Sequence, residues 1–173
     1  MNKKRIENII QYALLIAGQE DDFFDRSLGP IHFIKYVYLA DLNYARHNNG
    51  ETYTGISWRF HTFGPWSNAV NEIIDPSLDA IGASMRKIKS QYEGCDDYKR
   101  WSYTNDRLLD EVGSRLPLVV SGQVASSVHQ FKSDTPRLLE HVYQTPPMLD
   151  AAPGDLLDFS AILKRKKSET DKE

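Results

Sequence analysis

The chain has 173 residues, 40% of them hydrophobic, and a formal net charge of −3. That suits one domain with a sizeable core rather than two, and an acidic balance demands neither nucleic acid nor a membrane surface as partner. No apolar run nears the roughly 20 residues that span a bilayer, and Cys95, the single cysteine, excludes an internal disulfide and a cysteine-rich metal site.

The basic start Met1-Asn2-Lys3-Lys4-Arg5 runs into an amphipathic stretch without a small-residue cleavage site, so it reads as a helix and not as a signal peptide. A cytoplasmic location is expected. Ile6, Ile9, Ile10, Ala13, Leu14 and Ala17 recur at three- and four-residue steps, which predicts a first helix from about Lys3 to Ala17, stopped by Gly18. Glu20-Asp21-Asp22-Phe23-Phe24-Asp25 follows as a polar loop with two aromatic anchors. Gly29-Pro30 opens a second helix, because proline at the first helical position gives up no intrahelical bond. Its face of Ile31, Ile34, Tyr38, Leu42 and Ala45 is widened by Phe33, Val37 and Tyr44, so it should be a central helix, and Asn48-Asn49-Gly50 ends it.

Thr52 to His61 is rich in aromatic and β-branched residues and reads as an extended segment or short strand. Gly64-Pro65 then reads as the start of a third helix, with Trp66, Ala69, Val70 and Ile73 at helical spacing and Asp75-Pro76 as its close. Met85 to Tyr92 and Tyr98 to Tyr103 predict a β-hairpin across the turn-rich Glu93-Gly94-Cys95-Asp96-Asp97. Leu108, Leu109 and Val112 make a short helix ending near Gly113. Val120, Val124, Val128 and Phe131 mark a helix within Leu116 to Phe131, and Thr135-Pro136 begins another, with Thr135 as N-cap and Thr145-Pro146-Pro147 as its stop. The expected fold is mainly α (α+β): a single compact helical domain over residues 1–163 with a small β-hairpin or sheet element, followed by a charged, disordered tail over 164–173.

The chemistry-bearing residues do not assemble into a known catalytic pattern. His32, His47, His61, His129 and His141 include no helical pair at the spacing that binds a metal, so no metal is expected. Glu20, Asp21, Asp22 and Asp25 lack the spacing of a calcium loop and read as a solvated acidic loop. Ser84-Met85-Arg86-Lys87 matches Ser-x-x-Lys without its companion motifs. Nucleophile elbow, phosphate-binding loop and dinucleotide fingerprint are all missing, and no cofactor is expected. Lys164-Arg165-Lys166-Lys167 is offset by Glu169, Asp171 and Glu173, which makes nucleic acid an unlikely partner. The aromatic group Tyr53, Trp58, Phe60, Phe63 and Trp66 mostly suits core packing, yet aromatics also anchor interfaces. In a strand, Arg59 and His61 would face away from Trp58 and Phe60. Trp58, Arg59, His61 and Trp66 are therefore the candidate partner-binding residues.

Two blocks carry a family resemblance. The first holds Lys35-Tyr36-Val37-Tyr38-Leu39-Ala40-Asp41, Gly50, Tyr53-Thr54-Gly55, and Phe60 followed by Phe63-Gly64-Pro65. The second holds Asp134-Thr135-Pro136-Arg137-Leu138-Leu139, Val142-Tyr143, Thr145-Pro146-Pro147-Met148 and Gly154-Asp155-Leu156-Leu157-Asp158-Phe159. In this order the chain resembles the Panacea domain family, also called SocA-like antitoxin domains, over most of residues 3–160. The resemblance implies a mainly helical bacterial or phage protein that neutralises a toxin by direct binding, and it brings no catalytic residues. No second domain's worth of sequence remains for binding DNA. The expected partner is a cognate toxin protein. A protease partner follows if the chain is instead an adaptor or scaffold, and a third reading is an enzyme using His61 or His129 with nearby carboxylates.

Overall fold

The computed structural model describes residues 1–91 and 93–163, so the tail expected over 164–173 and the end of the first expected hairpin strand, Tyr92, lie outside the described residues. The helices in chain order are α1 (Lys3–Ala17), α2 (Pro30–His47), α3 (Asn68–Asp79), α4 (Leu109–Ser114), α5 (Leu118–Phe131), α6 (Thr135–Tyr143) and α7 (Pro146–Leu149). The strands are β1 (Ser27–Leu28), β2 (Arg59–His61), β3 (Gly64–Trp66), β4 (Ser84–Ile88) and β5 (Tyr98–Ser102). The fold is mainly helical α+β, and no helix among the described residues is long and apolar enough to cross a membrane.

Asn2 starts α1 by accepting the Arg5 N–H on its side chain, one of the donors a helix start leaves without an intrahelical partner. The stripe from Ile6 to Ala17 is buried. Every residue of α2 from His32 to Leu42 is buried, because α1, α3, α5 and α6 all pack around it. A helix enclosed in this way must settle its polar side chains internally. Those of α2 reach outward to loops and tie them down.

β1, β5 and β4 form an antiparallel sheet in that order, and β2 pairs with β3 in a separate two-stranded unit. On the three-stranded sheet Trp101 faces inward, edge-on to Phe33 with ring centres 5.9 Å apart. β1, at two residues, is too short for its alternation to show in the sequence.

Four local expectations are corrected. Gly64-Pro65 does not begin a helix: it lies in β3, and the helix starts after Ser67, whose hydroxyl accepts the Val70 N–H. Pro76 does not close α3 but sits inside it, two residues before the end of its last buried turn at Leu78. Its missing N–H removes a donor for the Glu72 carbonyl, and Glu72 is exposed to solvent. Asp134, not Thr135, caps α6, accepting the Arg137 N–H at 3.1 Å. Phe23 and Phe24 are not anchors, since they form a 3₁₀ turn and are 70% and 79% exposed. The acidic residues around them do the anchoring: Glu20 is buried within 3.4 Å of Lys132, and Asp25 accepts from the Ser133 hydroxyl at 3.0 Å.

Candidate functional site

Two buried charged residues of α2 position the surface around Trp66. Asp41, one helical turn and a half below Lys35, accepts the Thr54 N–H at 2.9 Å, the Thr54 hydroxyl, and the Trp58 indole N–H at 2.9 Å. Arg5 adds a bond to the Tyr53 carbonyl at 2.8 Å and lies over the Tyr53 ring. The Tyr-Thr-Gly segment is thus pinned from two helices. Burial pushes the Asp41 carboxyl up to about 6, while the donors from Thr54 and Trp58 oppose that rise.

Lys35 has no solvent exposure, and its ammonium donates to the Pro65 carbonyl at 2.7 Å and lies 5.6 Å from the centre of the Trp66 ring. Burial lowers it to about 7. This bond fixes β3 from beneath. On its far side β2 is held by the chain around Asp155, with Phe60 N–H to the Asp155 carbonyl at 2.9 Å and Gly154 N–H to the Phe60 carbonyl at 2.8 Å. Gly64 closes the β2–β3 turn at φ +86°, a conformation that favours glycine.

The register places Arg59 opposite Trp66 and His61 opposite Gly64, so Arg59, His61 and Trp66 share one face. Arg59 and His61 are exposed, and the Arg59 guanidinium bonds the Gly154 carbonyl. The His61 ring centre lies 5.9 Å from that of Trp66. Trp66 is half-buried, with its indole N–H on Asn68 at 2.8 Å, and Phe63 at the turn is 55% exposed. Trp58 leaves this set. It is 1% exposed, bonded to Asp41 and packed edge-on against Tyr38, so it supports the surface from the core and offers no contact to a partner.

Trp66 separates two hollows. One of about 210 Å³ is lined by Ser57, Arg59, His61 and Asn68. The other, about 380 Å³ and mostly apolar, is lined by Ile31, His32, Phe63, Tyr98 and Arg100. His32 accepts the Gly29 N–H on Nδ1 at 3.0 Å, which leaves the proton on Nε2, within 3.0 Å of the Thr135 hydroxyl. Burial, then the nearby Arg100 charge, lowers it to about 4, so it is neutral at pH 7.

Phe63 was read with the core-packing aromatics and Lys35 as part of a family motif; neither they nor Tyr98 and Arg100 were among the candidate partner-binding residues. The exposure of Phe63 would have been legible by reading Arg59 to Trp66 as a hairpin, since an aromatic at so tight a turn has little core to enter. Lys35 carries no such signal, because a single lysine on a helix reads as a solvated position.

The candidate reactive residues are separately placed. Among the described residues no carboxylate lines the His61 hollow to orient the imidazole. His129 contacts Glu20 at 2.6 Å, but Lys132 shares that carboxylate in an ion-paired staple to the acidic loop. Ser84 and Lys87 lie three apart on β4 and so face opposite sides of the sheet, which separates the Ser-x-x-Lys pair. Among the described residues no group of three or more His, Cys, Asp or Glu could hold a metal ion. Compared with protein-family models, curated proteins and solved structures, the chain gives no match.

Proposed function

We propose that the chain is a protein-binding antitoxin of the Panacea type, acting in the cytoplasm and neutralising a partner toxin by direct association through the Trp66 surface. The observation that carries this is the way Trp66 and Phe63 are held: both are offered to solvent on a hairpin clamped from beneath by the buried Lys35. Aromatic side chains presented on a rigid frame lose little freedom on binding and are the usual anchors of protein interfaces. Arg59 beside them is already fixed by its bond to Gly154. The motif order described above supports the same reading, because its Lys35, Asp41, Tyr-Thr-Gly and Phe-Gly-Pro elements are the parts that build this frame.

A stable complex would bury about 1,200–2,000 Å² in total. Co-expression with the product of the adjacent gene tests the proposal. The expected result is that the two proteins purify together and that the chain restores growth suppressed by the partner. If they neither associate nor restore growth, the reading fails.

A further inference from the structure

The Trp66 surface does not end at Tyr98. Arg100 lines the larger hollow, and its guanidinium reaches across to the Ser27 hydroxyl at 3.0 Å. The sheet register sets Arg86 directly opposite Arg100, so two like charges share one face of neighbouring strands. Such a pair is unfavourable unless something of opposite sign covers it. Among the described residues the Arg86 side chain has no hydrogen bond or ion pair, and Asp25, which acts on Arg100 electrostatically, is committed to Ser133 and Lys132. Beyond Arg86 lies a cleft of about 350 Å³ walled by the exposed Phe23 and Phe24. Among the described residues no Asp or Glu lines this cleft or either hollow beside Trp66, although the chain carries 24 acidic residues against 21 basic ones.

β4 forms the edge of its sheet. Its one strand neighbour among the described residues is β5, and Ser84 to Lys87 are exposed. Arg86 and Lys87 point to opposite faces, so the edge is basic on both sides.

We propose that β4 is a docking edge for an extended acidic segment of the partner protein, which adds as a strand, sets carboxylates on Arg86 and Lys87, and seats an apolar side chain against the exposed Met85. This rests on the protein-binding reading and names the chemistry of the partner. A free edge supplies main-chain donors and acceptors for such a strand. A second copy of this chain is disfavoured, because pairing β4 with itself brings Arg86 and Lys87 against the same basic edge. Nucleic acid could use the arginines and phenylalanines but cannot continue the backbone ladder.

The test titrates the isotope-labelled full chain with three probes: a dodecapeptide of Glu interrupted by Phe, its counterpart with Lys for Glu, and oligothymidylate. Amide shifts are expected on β4 and on its neighbour β5 with the acidic peptide alone. Arg86→Glu, at an exposed position without side-chain hydrogen bonds, should keep the native spectrum and weaken that binding roughly tenfold. Shifts elsewhere, equal binding by Arg86→Glu, or equal binding of the lysine peptide or the oligonucleotide at this edge would overturn the proposal. The outcomes separate from those of the co-expression test. Growth rescue without peptide binding at β4 removes the docking edge alone, and peptide binding without toxin association removes the antitoxin reading alone.

Discussion

Lys35 and Pro65 join the centre of the fold to its candidate binding surface, the buried ammonium donating to the proline carbonyl at 2.7 Å. Desolvation lowers Lys35 to about 7 from an ordinary value of 10.5. Between these two pH values the unfolded chain holds the proton and the folded chain has released it. Stability from this group therefore rises with pH across the window, by at most about 1.4 kcal/mol per unit, and is lost as pH falls through 7. Tyr36 and Tyr38, both raised by burial, oppose it only above their ordinary value of 10. Lys35→Met keeps the packing and removes the titration, so urea unfolding of this variant from pH 7 to 10 should show a flatter profile than the parent. Identical slopes in the two proteins would refute the assignment.

Asp41 is the second hinge between helix and loop. Asp41→Ala leaves the Thr54 and Trp58 donors buried without an acceptor, and should cost about 2–4 kcal/mol with a matching fall in the urea midpoint. Because Trp58 packs beneath the surface, its fluorescence should report the loss. An unchanged midpoint would mean that the pinning of Tyr53-Thr54-Gly55 contributes nothing.

Acid stability should reflect two opposed groups. Asp41, raised to about 6 from 3.8, holds its proton in the folded state across that range, so its contribution is lost as pH rises through 6. His32, lowered to about 4 from 6.5, stays neutral when folded while the unfolded chain takes up a proton, so its contribution is lost as pH falls through 4. The two slopes cancel between about pH 4 and 6. Asp41→Asn removes one of them, and thermal melts of that variant should fall as pH drops from 6 to 4 more steeply than those of the parent. Parallel profiles would contradict the pairing.

Gly18 ends α1 where a Cβ would stand 2.0 Å from the Tyr103 carbonyl oxygen, a backbone atom that cannot turn aside. Gly18→Ala should destabilise the chain by about 1–3 kcal/mol, as overpacking does, by forcing α1 away from the segment after β5. A melting temperature equal to that of the parent would show that the two segments separate freely.

The helical frame was legible because its signals are local. Three- and four-residue spacing with the Gly18 stop gives α1 its observed bounds, and the proline start gives α2. The β4–β5 pairing was legible from two strand-like runs across a turn. The Trp66 hairpin was not, because Gly64-Pro65 is a helix-start signal locally and becomes a strand through bonds to distant groups: β2 across the turn, and Lys35 from 30 residues away. Pro76 misled for a related reason, since the carbonyl it leaves without a donor belongs to an exposed residue. Of the partner-binding residues read from sequence, Arg59 and His61 are exposed and Trp66 half-exposed, whereas Trp58 is internal. Alternation placed Trp58 and Arg59 on opposite faces but could not say that Asp41 would draw the tryptophan inward.

The central claim is that Trp66 anchors a partner protein. The direct measurement is the affinity of the adjacent gene's product for the parent chain and for Trp66→Ala, with Leu118→Ala as control, since Leu118 is 90% exposed on α5 and belongs to neither hollow. Native thermal unfolding of Trp66→Ala would establish that the hairpin survives. The account predicts that Trp66→Ala weakens the complex at least roughly tenfold while Leu118→Ala leaves it unchanged. Equal affinities for the parent chain and Trp66→Ala, or no complex with either, would contradict it.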